Sequence, residues 1–247
     1  MDVKTAGRVL DLFEAFSELQ HAVSLSDLAR KLDIPVSSCF ALLRTMENRG
    51  YLYSEKPRGG LYPTKRMFSL THKIAAHDPL ANRVSPALQE LRETTGETVL
   101  FAKRSADQVV ILDVLVSPQR VRYTAELGEM RPLHASSLGK ALLAQMPPKE
   151  RSALLDKLDM ARLTPETLTS RAKLEAEIAK SIKRGWFMNS GESVEHILAV
   201  AVAVNINGEA YAISLPGPME RMKPNLKHLV ARLEAARKKI EAHGAGR

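Results

Sequence analysis

Three short segments near the start of the chain share one spacing of apolar residues, at positions i, i+3, i+4 and i+7. The spacing occurs in three sets: Val9, Leu12, Phe13 and Phe16; Leu25, Leu28, Ala29 and Leu32; Cys39, Leu42, Leu43 and Met46. Such a spacing places the apolar side chains along one face of an α-helix. It therefore predicts three amphipathic helices that bury one another in a small core.

The residues between these stripes predict where the helices begin and end. Ser24 is suited to cap the second helix, with Asp27 three residues later. Pro35 disfavours helical geometry at Ile34, and Gly50 is suited to end the third helix. The second and third helices are thus separated by three or four residues, which is a helix-turn-helix arrangement.

The other face of the third helix suits contact with DNA. It carries Ser37, Ser38, Phe40, Ala41, Arg44, Thr45 and Asn48, with no acid before Glu47. Small residues permit close approach to the major groove, so we assign a base-edge contact to Arg44, flanked by Ser37 and Phe40. Phosphate contacts are assigned to Ser38 and Thr45. The alternative is a solvated helix face in an ordinary three-helix bundle.

A predicted hairpin follows this helix. Residues 51–53 and 61–63 are typical of two short strands, and the polar residues 54–60 between them are typical of a turn. Lys56 and Arg58 at its tip are assigned to phosphates, which makes the hairpin a wing. The net charge of +8 agrees with a polyanionic partner without establishing one.

The run SLSDLARKLDIPVSSCFALLRTMENRGYL, preceded by GRVLDLFEAF, resembles the winged helix-turn-helix of the IclR family of bacterial transcriptional regulators. Arg8 matches an arginine in the family's first helix, and we add it to the phosphate contacts. Ser37 and Ser38 match the Ser-Thr pair of the family. The family often has arginine where this chain has Ala41, so its operator preference does not carry over.

Beyond the hairpin, the pattern predicts three regions: a DNA-binding domain at 1–63, a connecting helix at 64–77 and a larger domain at 78–247. In the last, strands are predicted at 98–103, 109–115, 121–126, 198–205 and 210–215, and helices at 136–145, 148–158, 171–184 and 222–242. Strand pairs interspersed with helices indicate an α+β domain built on an antiparallel sheet flanked by helices.

Two further runs, GEMRPLHASSLGKALLAQM and GWFMNSGES, resemble signatures of the IclR family, and the resemblance covers about Ala6 to Ala242. It implies a GAF-like domain that binds a small-molecule effector, in a homodimer or a tetramer. It also implies effector contacts at Arg120, Tyr123, Arg131, Ser137, Leu138, Asn189, Ile197 and Ala199.

The residue types at these positions predict an organic acid as effector. The first three are usually apolar in the family, whereas this chain has two arginines and a tyrosine. A buried arginine needs an anion, and the start of a helix near Ser137 can supply N–H groups to one. Asn189 replaces an acid that would repel a carboxylate, and Tyr123 can stack on an aromatic ring. Whether Arg120 lines the pocket or points to solvent stays open.

Catalysis is not predicted. The histidines lack metal-ligand spacing, Cys39 is the only cysteine, and neither a phosphate loop nor a G-x-S-x-G motif is complete. We therefore expect no cofactor, no metal and no enzyme. The sequence predicts neither a signal peptide nor a membrane span of ~18 apolar residues, so a cytoplasmic protein without a membrane partner is expected.

The favoured function is a regulator, a repressor rather than an activator, that binds a double-stranded DNA operator. An architectural DNA-binding protein without an effector is the alternative, and an enzyme is the less favoured one.

Overall fold

A computed structural model of the protein describes residues 3–54 and 60–242. The chain divides into two compact units, Met1–Pro79 and Leu80–Arg247. No helix in the described ranges is long and apolar enough to cross a bilayer.

The first unit consists of helices and one hairpin. Its elements are α1 (Lys4–Leu19), α2 (Leu25–Lys31), α3 (Val36–Asn48), β1 (Leu52–Ser54), β2 (Leu61–Pro63) and α4 (Arg66–Ala76). The two strands pair antiparallel. The predicted apolar stripes supply the core, in which Leu12, Leu28 and Leu43 are almost fully buried. Burial of these three stripes against one another holds the three-helix arrangement together.

The predicted helix ends are also confirmed. The Ser24 hydroxyl accepts the Asp27 N–H at 3.2 Å and donates to the Asp27 carboxylate at 2.7 Å, which caps α2. Gly50 has a φ of 73°, and its N–H bonds to the Glu47 carbonyl at 2.8 Å. This left-handed conformation suits glycine and turns the chain from α3 into β1.

The second unit is built on a six-stranded sheet in the order β5-β4-β3-β8-β7-β6. Its strands are β3 (Val99–Ser105), β4 (Gln108–Leu115), β5 (Met130–Pro132), β6 (Phe187–Ser190), β7 (Ile197–Ile206) and β8 (Glu209–Pro218). All neighbouring strands run antiparallel. The α+β prediction with an antiparallel sheet is therefore confirmed.

Helices cover both faces of this sheet. They are α5 (Pro79–Thr95), α6 (Ser137–Gln145), α7 (Pro148–Leu155), α8 (Arg171–Arg184), α9 (Met219–Met222) and α10 (Leu226–Ala242). Alternate residues of β7 enter two separate cores, Val200 on one side and Ala201 on the other. The first core includes residues of α5 and α10, and the second residues of α6 and α8. The strand is apolar at successive positions because both of its faces are buried.

Several predicted elements differ from the structure. The strand predicted at 121–126 is wrong, because this stretch is irregular. Its carbonyls bond to side chains instead of a neighbouring strand: that of Val121 accepts from Arg221, and that of Tyr123 from Thr98. The helix predicted at 222–242 is divided into α9 and α10 around Pro224, which lacks the N–H that continues a helix.

The helix predicted at 148–158 ends earlier, at Leu155. The edge strands β5 and β6, of three and four residues, were not predicted.

Close packing at Gly139 generates a stability prediction. A Cβ on Gly139 in α6 would lie 2.1 Å from the Leu133 carbonyl oxygen, whereas one on Gly7 in α1 meets no described atom within 4 Å. Gly139→Ala should therefore lower the free energy of unfolding of the second unit by about 1–3 kcal/mol. Denaturant unfolding followed by the fluorescence of Trp186, the only tryptophan, measures this.

Gly7→Ala is the matched control. It places the same methyl group in an exposed helix and should raise stability by about 0.5–1 kcal/mol, measured by circular dichroism. An unchanged midpoint for Gly139→Ala would contradict the close approach of α6 to Leu133.

Candidate functional site

The exposed face of α3 is the candidate DNA-binding surface. The helix buries Cys39, Leu43 and Met46 on its inner side. Phe40 is 52% exposed, and the Arg44 guanidinium lies 6.0 Å from the centre of its ring. Phe40 therefore provides an apolar platform beside the arginine to which we assign the base-edge contact.

Three small polar residues lie on the same helix as this pair. Ser37 is exposed in the first turn, and Ser38 is half-buried beside it. The Thr45 hydroxyl is exposed but donates to the Ala41 carbonyl at 2.8 Å. A DNA phosphate oxygen only accepts hydrogen bonds, so Thr45 can contact a phosphate only if its hydroxyl turns away from the Ala41 carbonyl.

The remaining predicted DNA contacts lie elsewhere. Arg8 is half-buried on α1. Lys56 and Arg58 lie outside the described residues. The structure thus brings five of the predicted contacts together on α3, namely Ser37, Ser38, Phe40, Arg44 and Thr45.

The second unit contains a cavity of about 240 Å³ at the start of α6. Seven of the eight predicted effector positions line it: Tyr123, Arg131, Ser137, Leu138, Asn189, Ile197 and Ala199. The wall also includes Leu100, Glu129, Met130, Pro132, Ala135, Ser136, Ser193, Val194, Ser214 and Pro216. Residues distant in sequence therefore line one cavity with polar and apolar parts.

Arg120, the eighth position, does not line the cavity. Its side chain is exposed in the connection after β4. The preceding turn is fixed because the Ser117 hydroxyl donates to the Gly96 carbonyl at 2.6 Å and accepts the Gln119 N–H at 3.1 Å. The hypothesis that Arg120 contacts the effector is thus replaced by the solvent-exposed alternative.

Arg131 is the cationic group of the cavity wall. Its side chain is 17% exposed, and its Nη2 lies 2.7 Å from a Glu129 carboxylate oxygen. Its Nη1 donates to the Tyr123 hydroxyl, and the guanidinium lies 5.2 Å from the centre of that ring. Burial lowers the pKa of Arg131, but a guanidinium stays charged at neutral pH.

The start of α6 supplies further groups to the cavity. Ser136 caps the helix, because its hydroxyl accepts the Gly139 N–H at 3.4 Å. The first two helical residues, Ser137 and Leu138, line the cavity. A helix N-terminus carries partial positive charge and favours anions nearby.

Asn189 ties the cavity wall together. Its amide nitrogen donates to the Ala135 carbonyl at 2.6 Å and to the Ser193 hydroxyl at 3.0 Å. Its oxygen accepts the Glu192 N–H at 2.8 Å. An aspartate carboxylate at this position could not donate a hydrogen bond to the Ala135 carbonyl. Asn189 therefore serves the structure of the wall as well as removing a negative charge.

Lys140 and Glu192 form a buried ion pair that the sequence reasoning missed. Lys140 has no exposed side chain, and its Nζ lies 2.5 and 2.7 Å from the two Glu192 oxygens and 2.9 Å from the Met188 carbonyl. Burial lowers the pKa of Lys140 and raises the pKa of Glu192. A lysine within the apolar run of α6 was the available signal, because a buried cation requires a partner.

His134, which lies in the run GEMRPLHASSLGKALLAQM, makes a loop contact. It is buried, and its Nε2 lies 3.0 Å from the Ala161 carbonyl. Burial lowers the pKa of its imidazole. Among the described residues, no group of three His, Cys, Asp or Glu side chains could hold a metal ion.

These two units define a DNA-binding regulator of transcription of the winged helix-turn-helix class. Residues 5–56 match the IclR helix-turn-helix domain, and residues 72–242 match the domain described as bacterial transcriptional regulator IclR C-terminal. The chain belongs to the IclR family of bacterial transcriptional regulators, which are regulators and not enzymes.

Curated relatives and solved structures agree with this assignment. The chain is 30% identical over 224 residues to the acetate operon repressor of Salmonella typhimurium, covering 89% of this chain and 82% of that protein. It is 29% identical over 204 residues to the transcriptional repressor AllR of Klebsiella pneumoniae, covering 82% and 75%.

Among solved structures, the IclR protein of Thermotoga maritima matches with a TM-score of 0.82 and 20% identity, over 97% and 98% of the two chains. An IclR homolog from Microbacterium hydrocarbonoxydans, complexed with 4-hydroxybenzoate, matches with a TM-score of 0.78 and 24% identity, over 96% and 98%. At these identities the two structures establish the fold.

The buried ion pair leads to a prediction about pH. Lys140→Met leaves the Glu192 carboxylate buried without its counter-charge, which should lower the free energy of unfolding by about 3–5 kcal/mol at neutral pH. Loss of Lys140 removes the attraction that lowers the pKa of Glu192, so that pKa rises further. An acid whose pKa is raised by folding destabilises the protein as pH rises from its unfolded-state pKa to the raised pKa, above which the loss is constant.

The stability deficit of Lys140→Met should therefore be smaller at about pH 5 than at about pH 8, measured by denaturant unfolding. The double variant Lys140→Met, Glu192→Gln removes both charges and should recover most of the loss. A double variant as unstable as the single one would show that packing, and not the unpaired charge, causes the deficit.

Proposed function

We propose that this protein is a transcriptional repressor whose binding to an operator is changed when a small organic acid occupies the cavity at the start of α6. The observation that carries the proposal is the pairing of a largely buried arginine, Arg131, with a helix N-terminus at one cavity. Both groups favour a negatively charged ligand.

The cavity wall also favours an aromatic acid. Tyr123 offers a ring and a hydroxyl, and Leu100, Ile197 and Ala199 offer apolar surface. A flat ring could pack against these groups while its carboxylate faces Arg131 or Ser137. The 4-hydroxybenzoate complex of the related homolog supports this class of ligand.

DNA binding is assigned to residues 1–63 and effector binding to residues 78–247, joined by the segment 64–77. Arg44, Ser37 and Phe40 read base edges, and Ser38, Thr45, Lys56, Arg58 and Arg8 contact phosphates. The operator is double-stranded DNA, and the protein acts in the cytoplasm, where that DNA lies.

Repression is favoured because the curated relatives named above are repressors. A homodimer or a tetramer is proposed because a single helix-turn-helix reads few base pairs and pairing of two heads raises affinity. The effector changes DNA affinity only if it binds one arrangement of the heads more tightly than another.

Calorimetric titration tests the effector class. The panel is 4-hydroxybenzoate, benzoate and acetate, the neutral amide of each, an aromatic amine and a neutral sugar. At least one acid should bind more tightly than its amide, because only the acid gains a charge-assisted hydrogen bond. Arg131→Gln should weaken binding of that acid about tenfold or more.

Binding of the sugar or the amine without any acid would overturn the proposal. The sign of regulation is tested with the acid that binds: DNase footprinting on the protein's own promoter region should show protection that the acid alters. Repression predicts higher transcription from that promoter when the gene is deleted.

Substitution of Arg44 tests the DNA-binding surface. Arg44→Ala should weaken operator binding by about 1–3 kcal/mol and relax sequence preference at one base pair, because a bidentate base contact is lost. Fluorescence anisotropy with operator and scrambled duplexes measures both effects.

Arg104→Ala changes a half-buried arginine of β3 in the second unit, removes the same charge and is the control. Equal losses for Arg44→Ala and Arg104→Ala would mean that net charge, and not a base contact, is responsible. Lys56→Ala should weaken operator and scrambled DNA alike and flatten the salt dependence.

A further inference from the structure

Arg131, the cation of the cavity wall, is already paired with a carboxylate of the protein. Glu129 lines the cavity, and one of its oxygens lies 2.7 Å from Nη2 of Arg131. Its other oxygen accepts the Glu126 N–H at 3.1 Å. Glu129 is thus held by two contacts in the position of an anionic ligand.

The hydrogen-bonding groups of Arg131 leave little room for a second carboxylate. A carboxylate binds a guanidinium best through two parallel N–H bonds, which use either both Nη atoms or Nε with one Nη. A Glu129 oxygen lies beside Nη2, and Nη1 donates to the Tyr123 hydroxyl, while each of these nitrogens carries a second N–H. Nε is buried and has no partner among the described residues. A ligand carboxylate that approaches the two Nη atoms must therefore share the guanidinium with Glu129 and is repelled by its charge.

The net charge of the cavity wall also disfavours a second carboxylate at Arg131. Arg131 and Glu129 together are close to neutral, so the wall attracts an anion less than a lone arginine would. An amine would instead be attracted to Glu129, and a neutral ligand would leave the pair intact.

We propose that Glu129 is a specificity-determining residue, an internal carboxylate that competes with the effector's carboxylate for Arg131. The inference rests on the proposed function, because it requires an acidic effector. Glu129 sets a threshold: an acid binds only when its contacts with the start of α6 and the rest of the cavity compensate for this repulsion. Weakly bound acids without those contacts are rejected.

The test replaces Glu129 by its neutral isostere. Glu129→Gln keeps the size and the hydrogen-bond acceptor but removes the charge, so Arg131 is released more easily. For each acid of the panel that binds the wild type, Glu129→Gln should tighten binding about tenfold by calorimetry, the difference between a charged and a neutral hydrogen bond. Binding of the matching amide should change less than about twofold by the same reasoning.

Glu126→Gln is the matched control. It lies in the same turn and removes the same charge, but it contacts Glu129 through its backbone N–H and its side chain is exposed. Acid binding should change less than about twofold in this variant, because screened surface charges interact weakly. A second variant, Glu129→Asp, shortens the side chain and should tighten acid binding by a smaller factor in the same direction.

Three results would overturn the inference while leaving the proposed function intact. Unchanged acid affinity in Glu129→Gln would mean that Glu129 does not compete. Weaker affinity would mean that Glu129 positions Arg131 for the ligand. Equal tightening in Glu126→Gln would mean that overall charge is responsible. If no acid binds the wild-type protein or Glu129→Gln, the proposed effector class itself fails.

Discussion

A lysine ammonium without exposed surface is stable only beside an opposite charge, and this requirement at Lys140 fixes the geometry of the second unit. Lys140 lies on α6, and its partner Glu192 follows strand β6. The pair joins the helix to the sheet edge because separating the charges would leave each one buried without compensation. Asn189 then joins the same loop to Ala135 in front of α6. These contacts hold the start of α6 and the loop after β6 together, and both segments line the cavity.

The cavity divides its chemistry between its walls. Arg131, Glu129, Tyr123 and the start of α6 are polar or charged, whereas the strand residues Leu100, Ile197 and Ala199 are apolar. A ligand with one charged end and one apolar end would therefore be oriented on entry. The ion pair in the wall reduces the cost of placing an arginine there before any ligand arrives.

The sequence predicted what depends on local periodicity. The stripes beginning at Val9, Leu25 and Cys39 indicate which side of each helix is buried. The long apolar runs of β7 and β8 likewise indicate strands. The short edge strands could not be predicted, because three or four residues are too few to show an alternation of apolar and polar positions. The stretch 121–126 was misread because its backbone bonds to side chains of Thr98 and Arg221, far away in sequence.

Ion pairs between residues far apart in the sequence were the hardest features to predict. Family resemblance supplied seven positions that line the cavity, but it could not say that Arg131 is paired with Glu129. Lys140 and Glu192 are 52 residues apart, so no spacing rule connects them. Burial leaves a local signal in the sequence, whereas the choice of partner is made by tertiary structure.

The two sides of the cavity differ in how freely they can change over evolution. Ala135, Ser137 and Asn189 are buried, and the Asn189 amide donates to the Ala135 carbonyl, so most replacements there would cost stability. Tyr123 and Glu129 lie on an irregular connection and are only partly buried, so replacements there cost less stability as long as Arg131 keeps a polar partner. Under the proposed function, a change of ligand preference could therefore arise on this side by single mutations while the protein remains folded.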